Sequence, residues 1–246
     1  MATTFLTGEW RKLVMINYII DKRILEKHLP KGTEIELFEG KCYISLIGFM
    51  FMNTKLKGIP IPFHRNFEEI NLRFYVTREE NGIKKRGVVF IKEIVPKPAI
   101  TIIANSLYNE KYETLPMKYQ WIEQENSLEI IYHTKRKNWQ SFSIKTSKEA
   151  FDIAVGSKAE FITEHYWGYN KFNNLKTIEY NVKHPRWKVY DTLHYETHFD
   201  FNEMYGEEFA FLNTLKADAV FLAEGSEVEI MGLNKLVFKT EQVINL

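Results

Sequence analysis

Segments rich in Val, Ile, Tyr, Phe and Trp run the length of this chain, separated by turn signals such as "FEGK", "ENG", "EQENS", "KRKN", "KFNN" and "AEGS". The pattern predicts strands near 10–19, 34–38, 41–52, 66–77, 86–95, 116–124, 127–135, 138–146, 174–183, 186–201, 218–224 and 226–231. Helices are fewer and short. Asp21 is placed to cap one through Leu29, stopped by Pro30. Pro98 suits a first helical position, with Ile103 and Leu107 along one side to about Tyr108. Ser157 and Glu160 have capping-box spacing, and Gly168 is placed to end that helix. A fourth helix covers "NEMYGEEFAFLN", weakened by Gly206. Many strands with a few dispersed helices predict a β-rich α+β fold, with residues 1–246 as one domain.

One strand poses the functional question. In "HRNFEEINLRFYV", residues 64 to 76, Ile70, Leu72, Phe74 and Val76 share one face, while Glu69, Asn71, Arg73 and Tyr75 share the other. On pattern alone the polar row reads as the wet face of an antiparallel sheet. Turned inward, it reads differently: Arg73 clamps a carboxylate and Glu69 moves a proton.

Other stretches offer weaker chemistry. In "TLHYETHFDF", His194, Glu196, His198 and Asp200 fall on one strand face, which can hold a divalent metal, although a plain amphipathic strand explains the pattern fully. His165, in "EHYWGY", reads first as a histidine hydrogen-bonded among aromatics and second as a ligand or proton carrier. Lys92 in "GVVFIKEIV" and Lys111 in "NEKYE" are the candidate nucleophiles, with Glu93 taken as the ion-pair partner of Lys92. No G-x-S-x-G, P-loop or G-x-G-x-x-G is present, which argues against the corresponding hydrolases, NTPases and dinucleotide enzymes.

Composition narrows the partners. The 246 residues are 45% hydrophobic and 26% charged with a net charge of +1, so nothing drives the chain toward nucleic acid or an anionic membrane. The basic triplet Lys84–Arg86 reads as a solvated loop. Cys42, the only cysteine, permits no internal disulfide and reads as a buried, inert thiol. "MATTFLTGEW" lacks the pattern of a signal peptide, and no apolar run is long enough for a membrane span, so a cytoplasmic location is the expectation. No cofactor is implied. The aromatics of "EHYWGY" suit either a subunit contact in a homo-oligomer or the core.

In combination, "W-R-K-L" followed by "N-Y-x-x-D", "HLPKGTEIELFEGKCYISLIGF", "F-E-E-I-N-L-R-F-Y-V", "RGVVFIKEIV", "EHYWGY" and "HPRW" resemble the YqjF-like family of uncharacterised bacterial proteins over nearly the whole chain. That family is similar to acetoacetate decarboxylases, which implies a cone-shaped, curved antiparallel barrel around a buried cavity, with the Glu69 face turned inward. The resemblance places Arg11 on the decarboxylases' cavity arginine and Glu69 on their strand glutamate. Their Schiff-base lysine pair falls on Tyr112 and Glu113, with Lys111 one residue away, which argues against imine chemistry. The first reading is therefore an enzyme acting on a small keto acid or carbonyl compound. Glu69, Arg11 and Lys111 are its catalytic candidates, and Arg73, Asn71, Tyr75, Tyr112 and His165 its ligand contacts. The second is a binding or sensing protein using the same site, and the third a metal enzyme built on His194 and His198.

Overall fold

A computed structural model describes residues 3–239. Its strands are β1 (Thr4–Ile20), β2 (Glu34–Ile35), β3 (Leu37–Phe38), β4 (Lys41–Leu56), β5 (Ile59–Pro60), β6 (Phe67–Glu80), β7 (Ile83–Val95) and β8 (Tyr112–Thr114). They continue with β9 (Met117–Glu123), β10 (Leu128–Lys135), β11 (Trp139–Asp152), β12 (Trp167–Asn173), β13 (Lys176–Lys183), β14 (Lys188–His198), β15 (Ala219–Met231) and β16 (Asn234–Val237). The α-helices are α1 (Pro98–Tyr108), α2 (Lys158–Thr163) and α3 (Phe201–Tyr205).

The strands close on themselves. β1 pairs antiparallel with both β4 and β15, β4 with β6, and β6 with β7. β7 runs parallel to β12, β12 pairs antiparallel with β13, and β13 returns to β15 through Val182 and Ile230. The circuit β1–β4–β6–β7–β12–β13–β15 is thus a barrel, and closure removes the exposed edges an open sheet would have. From β15 the sheet continues through β14, β11, β10 and β9.

That continuation explains why β6 has no wet face. Ile70, Leu72 and Phe74 are fully buried in the same cluster as Ile130, Tyr132, Phe142 and Ile144 of β10 and β11. Each such side chain removed from water contributes roughly 1.5–3 kcal/mol. Gly48 lets the layers meet, because a Cβ there would lie 2.6 Å from the Phe142 ring. A second cluster, including Leu13, Phe49, Phe67, Tyr75, Val88 and Phe161, lines the opposite face.

Several elements depart from the sequence reading. Helix α2 opens at the Ser157 cap as predicted but ends at Thr163, and Gly168 lies inside β12. Glycine is required there for approach, since a Cβ would stand 2.1 Å from the Tyr180 ring. "AEGS" is no turn: β15 runs through it, with Gly225 at φ +80 where a Cβ would meet the Trp10 carbonyl oxygen. Asp21 caps as predicted, but only two 3-10 turns follow, at Lys22–Ile24 and Glu26–His28. Gly206 splits the last helix into α3 and a 3-10 segment at Glu207–Asn213. Lys84–Arg86 belong to β7 and are ion-paired, Lys85 with Glu179 and Arg86 with Glu36.

Candidate functional site

The polar row of β6 faces into the barrel. Glu69 is 2% exposed, Asn71 1% and Arg73 8%, so the solvated-face reading of the pattern fails. Neighbouring strands add to the row. Cross-strand pairing sets Asn71 of β6 against Glu93 of β7, and Glu93 against Tyr112 of β8. These side chains, with His165 and an apolar surround that includes Trp10, Phe49 and Trp167, line a pocket of about 50 Å³.

At one end the pocket is carboxyl chemistry. Glu69 accepts from Asn71 Nδ2 at 3.0 Å and from the Tyr112 hydroxyl at 2.9 Å. Burial outweighs both bonds and raises its pKa to about 7, which divides it between acid and base at neutral pH. Glu93 is pushed further up, by burial first and then by the charges of Glu110 and Glu69. Burial also raises Glu110, whose Oε1 accepts from the Tyr180 hydroxyl at 2.7 Å. Tyr112 stays a phenol because burial and the three glutamates lift its pKa far above 10.0, and its hydroxyl donates to Glu69 when that carboxyl is ionised.

At the other end are nitrogen groups. Arg73 Nη2 donates to the Ile162 carbonyl at 3.2 Å, and its guanidinium lies 5.6 Å from the Tyr75 ring centre. His165 Nε2 sits 2.9 Å from Glu36 Oε2. Burial lowers the His165 pKa to about 4, so the ring is neutral at pH 7, and with Glu36 ionised Nε2 is the donor. Five buried polar atoms on these lining residues have no partner among the described residues: Trp10 Nε1, Asn71 Oδ1, Arg73 Nε, Glu93 Oε2 and His165 Nδ1. Each unmet group costs about 1–3 kcal/mol, and their concentration in one pocket needs a cause.

Not every expected residue reaches this place. Arg11 does not line the pocket. Lys12, at φ 55, interrupts the β1 register, so Trp10 and Leu13 point in while Arg11 pairs with Glu9 and reaches the Gly225 carbonyl. Lys111 is exposed, and its neighbours Glu110 and Tyr112 turn inward in its stead. Lys92 points to the opposite face of β7, where it donates to the Met204 carbonyl at 2.7 Å and pairs with Glu113. Its supposed partner Glu93 therefore cannot pair with it, because successive strand residues face opposite ways. Tyr75 supports the pocket from behind: its hydroxyl bonds Ser45 at 2.7 Å and its ring centre lies 4.7 Å from that of His165.

His194, Glu196 and His198 do share one face of β14, as exposed side chains bonded to each other. Among the described residues no group of three or more His, Cys, Asp or Glu is arranged to hold a metal ion. In "EHYWGY", Glu164, His165 and Tyr169 are buried and Tyr166 and Trp167 partly so, which gives these aromatics to the core. Glu110, Tyr180 and Trp10 have no signal in the sequence that marks them, and Glu93 reads there only as the partner of Lys92. Glu93 reaches Glu69 through the strand register, whereas Glu110 arrives on the loop between α1 and β8.

Comparison with known proteins places this architecture. Solved structures similar to it include an acetoacetate decarboxylase-like enzyme from Sphingomonas wittichii RW1, with a TM-score of 0.66 and 12% identity over 96% of this chain and 95% of that one. Acetoacetate decarboxylase from Legionella pneumophila matches with a TM-score of 0.63 and 12% identity, over 96% and 88% of the two chains. The enduracididine biosynthesis enzyme MppR complexed with pyruvate matches with a TM-score of 0.62 and 10% identity, over 96% and 91%. At these identities the likeness shows the fold: an acetoacetate decarboxylase-like barrel. A curated relative, the uncharacterized protein YqjF of Bacillus subtilis (strain 168), is 26% identical over 183 residues, covering 72% of each chain. Residues 7–227 match the family described as "Uncharacterized conserved protein", DUF2071, and the chain belongs to that family.

Proposed function

We propose that the Glu69 pocket binds a small oxo acid without covalent attachment and moves a proton on it. The observation that carries this reading is the buried β6 row itself: Glu69 is fixed by Asn71 and Tyr112, while Arg73 Nε and Asn71 Oδ1 in the same row have no partner among the described residues. Arg73 supplies the cation for a carboxylate. Ionised Glu69 takes a proton from the carbon beside the ketone; the C–H electron pair becomes the new C=C bond and the C=O π pair moves onto the carbonyl oxygen. Glu93, held protonated by burial, hydrogen-bonds that oxygen as charge develops on it. Return of a proton to carbon from Glu69 restores the oxo acid. No lysine is among the described residues that line the pocket, so the chemistry runs without an imine. The solved structure of MppR with pyruvate supports an oxo acid as the first ligand to try.

Titration calorimetry with pyruvate, paired with borohydride treatment and intact mass, tests the proposal. It predicts saturable binding, no covalent adduct, and affinity reduced at least tenfold in Arg73→Gln. An adduct on any lysine, or no binding by any 2-oxo acid, overturns it. A second reading, binding without turnover, is favoured by the same lack of a lysine, and would show as saturable binding with no proton exchange.

A further inference from the structure

Helix α1 carries its apolar residues at Ile100, Ile103 and Ala104, yet all three are only half-buried, and Tyr108 is its one buried residue. An amphipathic helix ordinarily presses such a stripe onto a core. Here the stripe roofs a second pocket of about 130 Å³. Leu6, Leu56, Phe67 and Ile61 furnish more of its wall, and its polar groups are few. A cavity of about 150 Å³ lined by Leu, Ile and Phe holds benzene, so this space suits a ring or a short alkyl chain.

Its position gives it meaning. Phe51, Tyr112, Tyr180 and Ile230 line both this pocket and the Glu69 pocket, so the two share a wall. Glu110, bonded to Tyr180, lies on the apolar side of that wall. Tyr112 presents its ring to the apolar space and its hydroxyl to Glu69. The segment leading from Ile61 to His64, both in the wall, carries Phe63 at 89% exposure, an apolar side chain offered to solvent beside the apolar space.

We propose that this pocket receives the apolar arm of the ligand whose carboxylate and carbonyl occupy the Glu69 site, so that the ligand is a 2-oxo acid with an alkyl or aryl arm of about four to six carbons. The inference rests on the preceding reading for the head of the ligand. The arm is held by burial alone, and the wall residues Phe51, Tyr112, Tyr180 and Ile230 set the point where head becomes arm.

Calorimetry with pyruvate, 2-oxohexanoate, 2-oxooctanoate and phenylpyruvate tests it, with toluene as a probe that lacks the acid head. Each methylene buried should tighten Kd by about fourfold until the pocket is full. Ala104→Trp should erase that gain while leaving pyruvate affinity within about twofold, the wall of the head site being untouched. Ile103→Trp, on the same helix face, provides an independent block should the first variant fail to fold. Affinity that does not change with chain length, or a gain that survives both blocks, overturns the arm pocket while the head site stands. If no oxo acid binds, the head reading fails. Toluene then decides the pocket alone: a rise in melting temperature that Ala104→Trp abolishes supports it, and no rise overturns it.

Discussion

Glu69 is the residue on which the chemistry turns. Its pKa of about 7 means that its basic form grows in between pH 5 and 8. Proton exchange on a bound oxo acid should therefore rise across that range with a midpoint near pH 7, as measured by a pH series of exchange rates. An exchange rate that does not change over the same range would remove Glu69 as the base. A second residue-scale prediction concerns Gly168. Ala at that position drives a methyl into the Tyr180 ring, displacing the hydroxyl that holds Glu110. Gly168→Ala should cost about 1–3 kcal/mol in urea unfolding. The alternation of β6 was legible in the sequence, but the direction of its polar face was not: the pattern alone reads it as wet, and only the family resemblance turned it inward. The placement of Arg11 was not legible either: a single left-handed residue, Lys12, re-aims the strand, and nothing in "EWRKL" announces a bulge. Glu93 was hidden by the habit of pairing sequence neighbours, which fails on a strand.

At the scale of elements, α1 and β6 make opposite predictions from similar apolar residues. Ile70 of β6 is fully buried between two layers, so Ile70→Ala should cost about 2–5 kcal/mol. Ile103 of α1 lies over open space, so Ile103→Ala should cost less than about 1 kcal/mol, because little packing is lost. Equal losses in the two variants would mean that α1 is packed, and the apolar pocket filled, in solution. The start of α2 is local chemistry: Ser157 accepts from the Glu160 amide at 3.2 Å, and Ser157→Ala should cost about 1 kcal/mol. Elements with such local signals, α2's start and α1's Pro98, were readable in advance. β12 and the true end of α2 were not, because Gly168 answers to Tyr180 on another strand rather than to its own helix.

The whole molecule sets the electrostatic cost of the site. A glutamate whose pKa is raised on folding keeps its proton where the unfolded chain releases it, so its contribution to stability is full below pH 4.5 and is lost as pH rises. For Glu69 the loss falls between pH 4.5 and about 7. Glu93 shifts in the same direction. Glu69→Gln and Glu93→Gln should therefore stabilise the fold more at pH 8 than at pH 5, as read from urea unfolding at the two pH values. His165 and Glu36 work in the other sense: their lowered values make their contribution full above their unfolded pKa and lost on acidification. Barrel closure is what allows such a cluster to persist, since β13 meeting β15 keeps the row away from water. Strand content was evident from the sequence, whereas this closure depends on pairing between residues far apart along the chain, which alternation alone does not specify.

The most direct test is proton NMR of pyruvate in deuterated buffer at pH 7, with wild-type protein and Glu69→Gln side by side. The account predicts loss of the methyl signal above the buffer rate with wild type, and a rate at least about a hundredfold lower in the variant. Equal exchange in the two proteins, or exchange accompanied by a borohydride-trapped lysine adduct, would contradict proton transfer by Glu69.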